Sequence, residues 1–400
     1  MFHRLVRTPR FIPKLTSKMS TVQNPLPASF LRGGTSKGVF ISKDTLPPNR
    51  ADWAPIFLGI MGSPDAEYGR QLDGMGGGVS SLSKVMVVGP PSPAQRAQGI
   101  DAEYTFAQVG ITEASVDYSG NCGNLTSMIG VFAVDEGLCP PPAVVGAEGD
   151  AGRGTIRLFN TNTQKVIDTT FPVTAAGAPV LDLPETEMAG VPGKASRIVL
   201  DFVDPGGART GRLLPTGSPR DTLTLADGRT ASASLVDATN PTVFVDFAEL
   251  DAFLPLEDYL VGKSAAVAQV SPVLDALRQQ AAVRMGLDPA AQAQPKIALL
   301  RAPHTTEDAA QGVDIVIHAL SMGVLHKAVP MTVGLCLGVA SKVEGTIAWN
   351  IRNGASAELV RIRHPGGVVD VGAEFGEDGQ VKSAKVVRTG RRLMKGVVWH

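Results

Sequence analysis

Aromatic side chains are scarce in this chain. At 5% of 400 residues they form no series of stacking platforms for bases, and a formal net charge of −1 supplies no basic field. Together these exclude a nucleic-acid partner. Cysteine is rarer still. Cys122, Cys139 and Cys336 make neither a disulfide framework nor a spaced zinc site, so no metal is expected and a reducing compartment fits. No apolar run is long enough to cross a bilayer, so no membrane partner is expected. What the chain has in quantity is glycine, 44 residues, and proline, 29. That implies many turns between short elements, which suits strands better than long helices. With 44% hydrophobic and 19% charged residues, the chain can bury a large core in one big domain or two.

The first twenty residues differ from the rest. They hold Arg4, Arg7, Arg10, Lys14 and Lys18 and no acid, interspersed with Phe2, Leu5, Phe11 and Leu15; the first acidic residue is Asp44. Segment 1–20 therefore has the pattern of a mitochondrial presequence, with the matrix as destination. A disordered tail, or initiation at Met19 and a cytoplasmic protein, is the alternative.

Alternation and turn residues predict strands over Phe30–Lys37 and Gly38–Ile41, a helix over Trp53–Met61 and a glycine loop at Gly74–Gly78. Further strands are expected at Met86–Val88, Tyr104–Val109, Thr155–Asn160, Val166–Pro172, Ala195–Val203, Thr242–Phe247 and Lys296–Leu300. A helix is expected over Ser271–Met285. Thr346–Ile351, Leu359–Arg363, Val368–Ala373 and Val381–Val387 read as the closing strands. Two short helices, 124–136 and the run after Pro330 through Ala340, are apolar all round and so read as buried. Each half thus places strands around one small-residue helix. This predicts an α+β fold of two similar domains, 28–193 and 194–398, with a cleft between them and a last strand that crosses back.

Cys122 lies in Asp117-Tyr118-Ser119-Gly120-Asn121-Cys122-Gly123-Asn124-Leu125, directly before the first apolar helix. A thiol there meets free backbone N–H groups and the positive end of a helix dipole, which favour a thiolate or a bound carboxylate. The competing reading is an inert buried cysteine; the flanking Gly and Asn residues shape a turn rather than fill a core. Arg32-Gly33-Gly34-Thr35-Ser36-Lys37-Gly38 combines bare N–H groups, two hydroxyls and two cations, as an anion nest does; it lacks Walker spacing, and a plain Gly-rich hairpin is the alternative. Gly74-Met75-Gly76-Gly77-Gly78 is followed by serines (Ser80, Ser81, Ser83) and a strand, not a long helix, so a dinucleotide loop is rejected. Lys84 sits between Ser83 and that strand, where partial burial suits a general base; an ordinary solvated lysine is the alternative. In the second half, Ser321, Met322, Gly323, His326 and Lys327 precede the second apolar helix. Thr216, in the turn Leu214–Gly217, could face the cleft. Cys139 and Cys336 read as structural.

Taken together, Arg32–Phe40, Gly74–Val85, Asp117–Leu125, Leu214–Gly217 and Ser321–Thr332 resemble the 2-methylaconitate cis–trans isomerase (PrpF) family, from about Ala28 to Val398. The resemblance implies the diaminopimelate-epimerase fold with its active site between two pseudo-symmetric domains. It implies Lys84 and Cys122 as catalytic residues, and no cofactor. Arg32, Gly34, Thr35, Ser36, Lys37, Ser80, Ser81, Ser83, Asn121, Gly123, Asn124, Thr216, Ser321, Met322, Gly323 and His326 are then the expected substrate-binding set. The expected partner is a small unsaturated tricarboxylate, and a homodimer is one assembly the resemblance allows. The expected activity is cis–trans isomerisation or an allylic double-bond shift. Keto–enol tautomerisation of an oxo-tricarboxylate is a second reading, and a non-catalytic carboxylate-binding accessory to an aconitase-like enzyme a third. One departure from the wider superfamily stands out: Met331 and Thr332 occupy the start of the second helix, where racemases and epimerases of this fold carry a second cysteine.

Overall fold

A computed structural model describes residues 23–118, 121–148, 151–225, 227–291, 294–321, 323–355 and 357–400. The basic segment 1–20 and Met322 lie outside the described residues.

The first half contributes strands β1 (Leu26–Gly33), β2 (Ser36–Ser42), β3 (Lys84–Gly89), β4 (Ala102–Val109), β5 (Ala151–Asn160), β6 (Lys165–Val173) and β7 (Ile198–Val203). The second contributes β8 (Thr230–Ala238), β9 (Asn240–Asp246), β10 (Lys296–Arg301), β11 (Ile315–Ser321), β12 (Leu359–His364), β13 (Gly367–Phe375) and β14 (Val381–Arg388). A last strand, β15 (Gly390–Val398), follows. The helices that matter are α1 (Trp53–Met61), α2 (Gly123–Thr126), α3 (Ile129–Asp135), α4 (Ser264–Arg284) and α5 (Met331–Ala340).

The duplication that the residues show only faintly is plain in the pairing. From β1 to β7 successive strands pair antiparallel, parallel, antiparallel, parallel, antiparallel, antiparallel. From β8 to β14 the senses repeat in the same order. Both parallel steps in each half are helical crossovers. α1 bridges β2 to β3 as α4 bridges β9 to β10, and α2–α3 bridge β4 to β5 as α5 bridges β11 to β12. The halves join where β7 pairs with β14, Ile198 opposite Arg388. β15 crosses back to pair with β1.

Strand alternation sorts the core into layers. Met86 and Val88 face a central cluster built around α3 and α5, whereas Val85 and Val87 face α1. The central cluster runs without a break through both halves. In α5, Val333, Leu335, Leu337 and Val339 are fully buried, each contributing about 1.5–3 kcal/mol. Its small residues have a reason: a Cβ on Gly338 would sit 2.9 Å from the backbone N of Gly372 in β13.

Several elements differ from expectation. The segment Thr346–Ile351 is not a strand; Thr346 caps a helix over Ile347–Ile351, its side chain accepting from the Trp349 N–H, and a capped turn outweighs β propensity there. The helix expected at Ser271 begins seven residues earlier and carries Pro272 inside it. The helix expected over 124–136 comes in two pieces. Thr126 Oγ1 donates to Cys122 O and Ser127 Oγ to Asn124 O, and such side-chain bonds compete with the helical ladder. The strands β8, β11 and β15 carry no turn-bounded alternation strong enough to be read in isolation.

Candidate active site

The β1–β2 hairpin turns at Gly34 and Thr35, so Gly38 lies inside β2 and not in the turn. Its glycines serve close approach. A Cβ on Gly33 would lie 2.3 Å from Asn124 O, and Gly34 adopts φ +54° with Asn124 Oδ1 equally near. The hairpin therefore lies directly on the start of α2. The Gly34 N–H donates to Thr389 O at 2.9 Å, so this member of the expected nest is already bonded within the protein.

Contact with the hairpin places three side chains around Cys122, the N-cap of α2. Cys122 is 9% exposed, and its Sγ lies 3.9 Å from Ser36 Oγ. Asn124 Nδ2 donates to Thr35 Oγ1 at 3.1 Å and to Ser36 Oγ at 3.4 Å. Behind them, Asn121 Oδ1 accepts from Tyr104 Oη. Burial drives the Tyr104 phenol well above its ordinary range, so this network remains a set of neutral hydrogen bonds.

Lys84 begins β3 on the face that carries Met86, the face turned toward α2. A Cβ on Gly38 would lie 2.7 Å from Leu125 Cδ1 in α2 and 2.9 Å from Lys84 O, which fixes how closely the lysine and the thiol-bearing turn sit. Lys84 is 7% exposed. Its Nζ donates to Gln108 Oε1 and stands 4.9 Å from the centroid of the Phe106 ring. Gln108 is held in turn by Ser80 O and Ser83 O. The amine thus has an amide and an aromatic face for neighbours.

The second half closes over this surface. Met331, the first residue of α5, sits against Gly123: a Cβ there would lie 1.9 Å from Met331 Sδ. A thioether at this position neither donates nor accepts a proton at neutral pH. Thr239, at the β8–β9 turn, donates to Thr332 O at 2.8 Å, repeating the hairpin-on-helix contact of the first half. From β14, Arg388 Nε donates to Asn124 Oδ1 at 2.9 Å. This bond fixes the Asn124 carboxamide so that its NH2 faces Thr35 and Ser36. Burial pulls the Arg388 guanidinium down to about 10, opposed by its interaction with Cys122. His364, at the end of β12, is depressed to about 4 by burial and by Arg388, His326 and Arg363, so its imidazole is neutral.

Of the expected residues, Cys122, Gly123, Asn124, Gly34, Thr35 and Ser36 meet where the hairpin lies on α2, with Asn121 behind them and Lys84 on the strand packed beside them. Arg32 and Lys37 are cross-strand partners on the opposite face of the hairpin; Arg32 donates to Thr389 O and Gly34 O. Ser80 and Ser81 form a short 3-10 turn, and the buried Ser83 hydroxyl is tied to Val109 O and Gln71. The turn holding Thr216 lies beside Lys342 and Val343, past the far end of α5, and Thr216 Oγ1 donates to Asp221. Ser321 ends β11. Gly323 borders a small gap facing Asp275 and Arg278 of α4. His326 Nδ1 accepts from the Ala328 N–H at 3.0 Å, and the ring lies near His364. The two other thiols are remote from this chemistry: burial pushes both Cys139 and Cys336 up to about 12. Sequence reading missed Gln108, Arg388 and His364. The available signal was a cation closing an apolar strand, Val386-Val387-Arg388. No cluster of three or more His, Cys, Asp or Glu among the described residues is placed to hold a metal.

Two pseudo-symmetric halves, with Lys84 at a strand start and Cys122 at a helix start in the first of them, match the architecture of a family of isomerases. The chain belongs to the PrpF family: the model described as "PrpF protein" matches residues 23–400. It is 34% identical over 393 residues to 3-methylitaconate isomerase of Eubacterium barkeri, covering 94% of this chain and 97% of that protein. It is 34% identical over 407 residues to 2-methyl-aconitate isomerase of Shewanella oneidensis, covering 96% and 99%. Identity to 4-oxalomesaconate tautomerase of Pseudomonas putida is 33% over 381 residues, covering 94% and 96%. Among solved structures, methylitaconate-delta-isomerase superposes with a TM-score of 0.79 at 34% identity, covering 95% of this chain and 96% of that one.

Proposed function

We propose that this isomerase acts on an unsaturated tricarboxylate such as 2-methylaconitate or aconitate. The observation that carries this is the buried Lys84, bonded to the neutral Gln108 and set against Phe106, whose cluster also holds Cys122. Lys84 takes a proton from the carbon one bond beyond the alkene. The electron pair spreads across the allyl system into the adjoining carboxylate, and the former double bond becomes free to rotate. Return of the proton to the same carbon gives the cis–trans isomer; delivery to the other end of the allyl system gives the shifted double bond. Cys122 is the partner acid. Thr35, Ser36 and Asn124 supply donors to the developing charge. Met331 in place of a second thiol supports lysine–thiol allylic chemistry over two-thiol inversion.

Proton NMR in deuterated water with cis-aconitate, trans-aconitate and 2-methyl-trans-aconitate tests the reading, with Lys84→Ala in parallel. Conversion of one compound with deuterium uptake, lost in the variant, is expected. Turnover of 4-oxalomesaconate alone would replace allylic isomerisation by tautomerisation at the same lysine. Tight binding of a tricarboxylate without exchange would leave only the accessory-protein reading. The basic, acid-free residues 1–18 support delivery to the mitochondrial matrix, which localisation of a fluorescent fusion with and without them tests.

A further inference from the structure

Resting on that reading, we infer that Arg388 is the residue that binds a substrate carboxylate next to Cys122, supplied by the strand that welds the two halves together. Arg388 is 8% exposed. Its Nε donates to Asn124 Oδ1 at 2.9 Å and its Nη1 to Val387 O at 2.8 Å. Both acceptors are neutral. A guanidinium taken out of water needs a counter-charge, because neutral oxygens replace only part of its lost hydration. Among the described residues, the titratable groups that face it do not supply one permanently. His364 is a neutral imidazole, with His326 and the cationic Arg363 behind it. Cys122 carries a negative charge only as the thiolate.

An anionic ligand completes the arrangement. A planar fork suits a carboxylate, to which it presents two parallel N–H groups. The location is specific too. Asn124 links Arg388 to Thr35 and Ser36, and Ser36 Oγ lies 3.9 Å from the thiol. A carboxylate held by Arg388 therefore lies beside the donors of the first half while its cation belongs to the second. Because β14 is hydrogen-bonded to both β7 and β13, the guanidinium is fixed relative to both halves, as a positioning group for a rigid planar substrate should be. The residue also accounts for selectivity: a polycarboxylate gains one charge-assisted contact more than a monocarboxylate of the same shape.

The test uses tricarballylate, a saturated tricarboxylate that cannot isomerise, titrated calorimetrically into the full chain and into Lys84→Ala, Arg388→Met and Arg388→Lys. Arg388→Met should weaken binding by at least about 30-fold, Arg388→Lys should recover part of it, and Lys84→Ala should bind close to the unmodified protein. Without ligand, Arg388→Met should melt at or above the parent temperature, since it removes an uncompensated buried charge; this separates a binding role from a structural one. Parent-like affinity in a folded Arg388→Met, or no tricarballylate binding to the parent, would overturn the inference. Failure of the isomerase reading appears separately, as binding intact and Arg388-dependent but no solvent exchange with any aconitate.

Discussion

Replacing Cys122 by serine keeps the turn and the α2 start and removes only the acidity of the thiol. If Lys84 abstracts and Cys122 returns the proton, Cys122→Ser should still exchange substrate hydrogen with deuterated water while product formation falls by about 10²-fold or more. Exchange and turnover falling together would assign the thiol an orienting role instead. His364 makes a second prediction at this scale. Its ordinary value is 6.5, and in the folded protein it is about 4. The unfolded chain therefore binds a proton between these limits and the native state does not, so stability is fully present above about pH 6.5 and is lost as pH falls toward 4. The loss is on the order of 3 kcal/mol. His318, also depressed to about 4 by burial and Arg301, titrates in the same window. Urea melts at pH 7, 5.5 and 4 should show this fall, and His364→Asn should flatten roughly half of it.

At the scale of elements, the hairpin carried by β1 and β2 decides where the thiol sits. Gly33→Ala places a methyl against the backbone of Asn124. No rotamer relieves such a contact, so α2 must move. A cost of about 1–3 kcal/mol is expected, with a loss of kcat/KM beyond what the stability change explains. Gly99→Ala is the control: open space surrounds it, but its φ is +77°, so it should cost about 1–2 kcal/mol and leave turnover alone. Urea midpoints alongside initial rates distinguish the two. The glycines of this hairpin look like an anion nest when read as a string. In the fold they are spacers between a strand and a helix.

Across the whole molecule, one apolar cluster spans both halves, and β15 closes onto β1 from the far end of the chain. Gly390 seats Met128, and Arg392 pairs with Asp135. The two halves are therefore expected to unfold in a single calorimetric transition. Residues 23–203 expressed alone lack β14 and β15, leaving β1 and β7 with open edges. Circular dichroism should show that fragment unfolded or aggregated; a folded, cooperative fragment would refute the shared-core argument.

Local chemistry sufficed for much of this. The apolar helices, the capping turn at Cys122, Lys84 at a strand start and the absence of a second thiol at Met331 are properties of neighbouring residues. They were legible because turn geometry, helix burial and proton chemistry act over a few positions. The motif strings identified the family for the same reason. What the strings did not contain is which distant residue completes each one. Gln108 meets Lys84 only because β3 and β4 pair in one register. Arg388 reaches Asn124 across 264 positions because β14 joins β7. Arg32 and Lys37 fall on the outer face because Ser36 faces inward and a strand alternates. The Thr216 turn lies at the far end of α5 because β8 runs the length of that helix. Sequence therefore determined the candidate reactive groups and the turns that hold them. Tertiary structure decided the neighbours and so the electrostatics, since register and burial are set by pairings that no local pattern encodes.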